Sequence, residues 1–145
     1  MLRTGTLPRL LIGTDLVAVD RLARLLRDHP ALVRRVFTER ERGYCTSRSR
    51  RPAEHLAARF AAKEAAMKAL RTGAAGVDWT DIEVVNQLGG CPVLRLHGAA
   101  GRLARRAGVA QSEVSLSHTA GFAVAQVVLV CAPGPGAGAE HPARP

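Results

Sequence analysis

The chain has 145 residues, 47% hydrophobic but only 3% aromatic, with 21 Lys+Arg against 12 Asp+Glu for a formal charge of +9. That length favours one domain with a modest core built from leucine, valine and alanine, and no apolar run approaches the roughly 20 residues that span a bilayer. Asp15 interrupts the N-terminal apolar run and no cleavage site follows it, and Cys45, Cys91 and Cys131 form no CxxC pair, so a cytoplasmic chain with reduced thiols is expected, without membrane span or zinc site.

The first predicted element is a strand over Arg9–Val17 with a turn at Gly13. A helix follows over Asp20–His29, with Leu22, Leu25 and Leu26 on one face and arginines on the other. Pro30 ends it. Thr38 and Glu41 have the S/T-x-x-E spacing of a capping box, which predicts another helix start. The basic run Ser47–Pro52 reads as a loop, with Pro52 suited to the first turn of the next helix. That helix, Ala53 to about Arg71, is alanine-rich and the longest. Its expected apolar stripe is Leu56, Phe60, Met67 and Leu70, and Gly73 and Gly76 are expected to stop it.

Two β-rich runs, Ile82–Val85 and Pro92–Leu96, flank Leu88-Gly89-Gly90 and predict a hairpin. A short basic helix is expected over Ala99–Ala107. Ser112–His118 and Phe122–Val130 predict a closing hairpin turning at Thr119-Ala120-Gly121. The stretch 132–145, APGPGAGAEHPARP, has little to bury and is expected to be a disordered tail to a domain of residues 1–131. This order of elements predicts an α+β fold, a small mostly antiparallel sheet with a long central helix, and not a doubly wound one.

The positive charge suits an anionic partner: nucleic acid, a phosphorylated ligand or an acidic protein. Against nucleic acid stand the near-absence of stacking aromatics and of any recognition motif. Three polar clusters lie beside apolar segments. Asp15 is either a turn former or a ligand at a strand's end. Glu64 and Lys68, four apart on one helix face with Lys63 beside them, are either a surface ion pair or a metal-binding carboxylate with a lysine aimed at phosphate. His118 at the hairpin tip is either a satisfied structural residue or a donor to a phosphate oxygen. Carboxylates are hard oxygen ligands suited to Mg²⁺, and with lysines and a histidine they fit phosphoryl-type transfer. No P-loop, Cys/His dyad or nucleophile elbow accompanies them.

Three segments resemble the motifs of holo-acyl-carrier-protein synthases, the short trimeric branch of the 4′-phosphopantetheinyl transferases. Ile12-Gly13-Thr14-Asp15 with Arg21 resembles IGxDxxxxxR. Phe60 to Leu70, FAAKEAAMKAL, is similar to FxxKEAxxKA. Ser115 to Val128, SLSHTAGFAVAQVV, is similar to SxSHxxxxAxAxVV. The resemblance implies transfer of 4′-phosphopantetheine from coenzyme A to a serine of an apo acyl carrier protein of fatty-acid or polyketide synthesis, releasing 3′,5′-adenosine diphosphate. It implies that Asp15 and Glu64 bind Mg²⁺, that Lys68 stabilises the leaving group, and that His118 contacts a phosphate or helps order the substrate. A carboxylate, Glu64 before Asp15, or a metal-bound water would take the serine proton. Arg59 and Lys63 would be further phosphate contacts, Thr72 and Gly73 would lie near the nucleotide, and Arg21 would meet the carrier protein. It also implies a homotrimer with active sites shared between subunits.

Overall fold

The computed structural model describes residues 7–47, 50–73 and 76–133. The elements are β1 (Arg9–Ala18), α1 (Val19–Asp28), α2 (Pro30–Val36), α3 (Glu39–Ser47), α4 (Pro52–Ala69), β2 (Ile82–Asn86), β3 (Pro92–Leu96), α5 (Gly98–Arg106), β4 (Val109–Thr119) and β5 (Phe122–Cys131). One sheet has the order β1-β5-β4 and the other pairs β2 with β3. Both are antiparallel throughout, as the α+β expectation required. Most of the expected tail, from 134 onward, and Arg48 and Ser49 of the basic loop lie outside the described residues.

The long helix α4 lies on one face of the three-stranded sheet, and its buried side is not the expected stripe. Of Leu56, Phe60, Met67 and Leu70, only Met67 is fully buried; the buried positions are mainly alanines, including Ala57, Ala61, Ala62, Ala65, Ala66 and Ala69. Small side chains let the strand backbone approach closely, and Gly13 exploits this. A Cβ at Gly13 would fall 1.8 Å from the Ala65 carbonyl oxygen and 2.9 Å from the Ala69 nitrogen. No side chain fits there. Gly13 therefore marks a close approach and not the expected turn; β1 runs straight through it to Ala18.

Strand alternation then fixes what faces α4. With a period of two, Leu11, Gly13, Asp15 and Val17 share one face of β1. Their partners Leu129, Val127, Ala125 and Ala123 on β5 are all fully buried. On β4 the same face carries Val114, Leu116 and His118. Asp15 and His118 are thus delivered to the helix side of the sheet by register alone.

The helix ends are set locally. Thr38 and Glu41 form the expected capping box: the Thr38 N–H donates to Glu41 Oε2 at 2.9 Å, and the Glu41 N–H donates to Thr38 Oγ1 at 3.3 Å. Pro30 begins α2 instead of merely stopping α1, occupying a first-turn position where its missing N–H costs nothing. At the C-terminus of α4 the Arg71 N–H donates to the Lys68 carbonyl and the Thr72 N–H to the Met67 carbonyl. That is a Schellman closure, and its left-handed residue is Arg71 (φ 57°), not either of the two glycines expected to end the helix.

Candidate active site

The C-terminal half of α4, β1 and α1 enclose a cleft of about 730 Å³ lined by Asp15, Arg21, Arg24, Phe60 and Glu64 among others. Asp15 comes from the helix-facing side of β1. Lys68, one turn beyond Glu64, donates from Nζ to Asp15 Oδ1 at 2.7 Å and to the Thr14 carbonyl at 3.0 Å. Asp15 and Lys68 stand 53 residues apart in the chain. Of the two readings of Glu64 and Lys68, the surface ion pair between them is therefore not the one that forms; Lys68 turns to β1.

Burial and the nearby Asp15 charge push the Glu64 carboxyl above its ordinary range, and Lys68 only partly opposes them. Two carboxylates crowded in one cleft are a natural place for a divalent cation. No group of three or more His, Cys, Asp or Glu side chains converges among the described residues. An ion held by Asp15 and Glu64 would thus need water and ligand oxygens for its remaining positions. That donor set fits Mg²⁺, which keeps waters and takes substrate phosphates, and does not fit a dedicated protein cage. On α1, Arg21 and Arg24 extend the cleft with positive charge.

Lys63 is not in this cleft, which corrects its expected place among the phosphate contacts. Its side chain and that of Glu41 are both fully enclosed, with Nζ 2.9 Å from Glu41 Oε2. Nζ also donates to the carbonyls of Trp79, at 3.0 Å, and Ile82. Desolvation pulls the Lys63 ammonium below its ordinary pKa despite the attraction of Glu41. Glu41 completes the cluster by accepting the Val84 N–H at 2.9 Å. With every ammonium proton directed at a protein acceptor, Lys63 ties α4 to α3 and β2.

Arg59 is also almost fully buried. Its guanidinium donates to Asn86 Oδ1 and lies 4.4 Å from the Tyr44 ring centroid, while its Nε has no partner. It forms the floor of a separate cleft with Arg40 and Arg95. Thr72 and Gly73 lie just past the end of α4, Gly73 in the left-handed region (φ 59°).

His118 lies on the same sheet face as Asp15, two strands and two residues away in register. That is about 12 Å between backbones. It packs at the N-terminal end of α4, where Nδ1 is 3.1 Å from Glu54 Oε2 and its ring meets that of His55 edge-on at 6.1 Å. The structure therefore unites Asp15, Glu64, Lys68 and Arg21, and leaves His118, Arg59, Thr72 and Gly73 outside that lining. Glu54 and Arg24 were missed by sequence reasoning. Glu54 resembles any first-turn acid, and nothing local reveals that its partner arrives from β4. Arg24 repeats one turn after Arg21 and was legible as part of the same helix face.

Comparison with known proteins is consistent with this geometry. The family model of the 4′-phosphopantetheinyl transferase superfamily matches residues 11–127. The holo-[acyl-carrier-protein] synthase of Moorella thermoacetica is 49% identical over 113 residues, 78% of this chain and 88% of that protein. The one from Anaeromyxobacter sp. (strain K) is 49% identical over 122 residues, 81% of this chain and 93% of the other. Among solved structures, a Chronobacterium ammoniagenes ACPS-CoA complex superposes with a TM-score of 0.75 at 30% identity, covering 86% of this chain and 99% of that one. A Bacillus anthracis holo-(acyl-carrier-protein) synthase in complex with CoA (3′,5′-ADP) does so at 0.69 and 35% identity, covering 85% and 98%.

Proposed function

The chain belongs to the 4′-phosphopantetheinyl transferase superfamily, and we infer that within it the protein is a holo-[acyl-carrier-protein] synthase. It transfers 4′-phosphopantetheine from coenzyme A to a serine of an apo acyl carrier protein. The serine oxygen bonds to the β-phosphorus, the anhydride bond to the nucleotide breaks, and 3′,5′-adenosine diphosphate leaves. The observation that carries this reading is the cleft that brings Asp15 and Glu64 together with Lys68 on Asp15.

Asp15 and Glu64 would hold Mg²⁺, which supplies charge neutralisation at the pyrophosphate when bound. Glu64, whose proton affinity is raised by burial and by the Asp15 charge, would take the serine proton. Lys68, an exposed ammonium at the rim, would turn from Asp15 to the leaving phosphate. Arg21, with Arg24 beside it, would meet acidic side chains of the carrier protein. Arg59 would contact a phosphate from its separate cleft, and Thr72 and Gly73, beyond the far end of α4, would lie near the nucleotide. His118 would donate to another phosphate oxygen.

We read the active enzyme as a homotrimer in the cytoplasm. The sheet face away from α4 supports the assembly: Leu10, Ile12 and Leu16 on β1 are 52%, 57% and 63% exposed, and Phe122 on β5 is 48% exposed. Register lines Val124, Val128 and Val130 up beside them. Crossed only by the polar Thr14–Gln126 pair, this apolar face suits burial against another copy. Light scattering should give three times 15.4 kDa, and Ile12→Arg should lower that mass.

The activity is tested by incubating apo carrier protein, coenzyme A and Mg²⁺ and weighing the product. A phosphopantetheine mass gain is expected, and both Glu64→Ala and Asp15→Ala should abolish it while keeping the helical circular dichroism. Full activity in both variants would remove the assignment of the cleft.

A further inference from the structure

We propose that Glu54 is a positioning residue for His118, holding the imidazole so that Nε2 is the nitrogen offered to a phosphate oxygen of coenzyme A. This rests on the reading of His118 as a phosphate contact. The residues come from two elements that meet only in the fold, the first turn of α4 and the end of β4. The two oxygens of Glu54 have separate tasks. Oε1 accepts from Arg51 Nη1 at 3.3 Å and Oε2 faces His118 Nδ1 at 3.1 Å. The Arg51 contact is exposed and weak, so the His118 contact is the more sheltered of the two. A carboxylate at Nδ1 selects the tautomer or ionic form with the proton on Nδ1 and fixes the ring plane.

The surroundings agree with that role. Among the described residues, the titratable or charged groups that meet the imidazole besides Glu54 are His55 on α4, with Arg59 and Tyr44 beyond it. His55 packs edge-on and holds the ring from the side. Burial, the Arg59 charge and His118 itself lower the His55 pKa. Glu54 is the carboxylate that meets the imidazole directly. The His118 side chain is 42% exposed, so part of the imidazole remains accessible from solvent.

Two readouts test this on the full-length enzyme. In protein labelled with ¹⁵N-histidine, the His118 side-chain spectrum should show Nδ1 protonated, and Glu54→Ala should redistribute that proton between the ring nitrogens. In steady-state assays Glu54→Ala should raise KM for coenzyme A about fivefold with kcat nearly kept, as loss of a charge-assisted hydrogen bond does. Glu54→Asp should recover part of this, and Glu54→Ala should add nothing further in a His118→Ala background. An unchanged His118 spectrum in Glu54→Ala, or an equal KM effect with and without His118, would overturn the proposal. If His118→Ala alone left KM unchanged, the phosphate role of His118 would fall first, before Glu54 is touched.

Discussion

Lys63 and Lys68 stand five residues apart on one helix, and each makes an ion pair with a carboxylate from elsewhere in the chain. The pairs are opposites. Lys63 and Glu41 are wholly enclosed and their remaining hydrogen-bonding capacity goes to backbone groups. Lys68 is 53% exposed, and its partner Asp15 sits at the wall of an open cleft beside a second carboxylate. In the first case desolvation must be matched by a fixed set of partners, so the lysine cannot leave without exposing a buried charge. In the second, water screens the pair, little is lost when it opens, and the ammonium is free to follow a ligand. Identical residue types thus serve cohesion at one position and, on the proposed reading, chemistry at the other, and the environment alone separates them.

The sharpest way to break this contrast is to replace each lysine by methionine. Lys63→Met strands the Glu41 carboxylate in the core and should cost about 3–5 kcal/mol in urea unfolding. Lys68→Met should move the same transition by under about 1 kcal/mol while lowering the transfer rate at least tenfold. Equal stability losses in the two variants would erase the distinction between the sites.

Gly13→Ala should give a smaller loss that falls on the open site. The added methyl meets the Ala65 carbonyl, and neither backbone can move cheaply. Overpacking of this kind costs about 1–3 kcal/mol. The strand shift displaces Thr14 and Asp15, the two residues that hold Lys68. Activity should therefore fall further than the stability loss explains, with the Lys63–Glu41 pair undisturbed. Wild-type rates in a merely destabilised variant would show that the strand's close approach serves packing only.

Most of the fold was legible because its signals are local. The Thr38/Glu41 capping box, Pro52 in a first turn, the double glycine of the β2–β3 turn and the alternation of β4 all appear as expected. What escaped depends on approach between distant segments. A glycine followed by threonine and aspartate looks the same whether the chain turns or passes close to a helix; only the Ala65 backbone decides. An alanine-rich helix with a few large apolar residues suggests that the large ones are its core face. Here the closeness of β1 inverts that, burying alanine and leaving Leu56, Phe60 and Leu70 half covered. The site was legible in part for the same reason. Asp15, Glu64 and Lys68 belong to motifs in fixed order. The fate of Lys63 depended on Glu41, whose only visible role in the sequence was to cap its own helix.

The smallest expected effect tests the cleft without any reaction. Glu64 is pushed above its ordinary value of 4.5 by burial and by Asp15. The folded state thus prefers Glu64 protonated. The sign follows: stability from this group is fully present below about pH 4.5 and is lost as pH rises through the raised folded value. Mg²⁺ on Asp15 and Glu64 would relieve that loss, so it should raise the melting free energy more near pH 7.5 than near pH 4.5. At ten times Kd the gain is about 1.4 kcal/mol. Glu64→Gln should flatten the pH dependence and remove most of the Mg²⁺ gain. Lys68 gives the measurement its edge, because it occupies Asp15 when no ion is bound. An ion must displace it, so Lys68→Met should strengthen Mg²⁺ binding even as it slows transfer. If that variant bound Mg²⁺ more weakly than the parent, Lys68 would not be a competitor for Asp15, and the open pair would be as structural as the closed one.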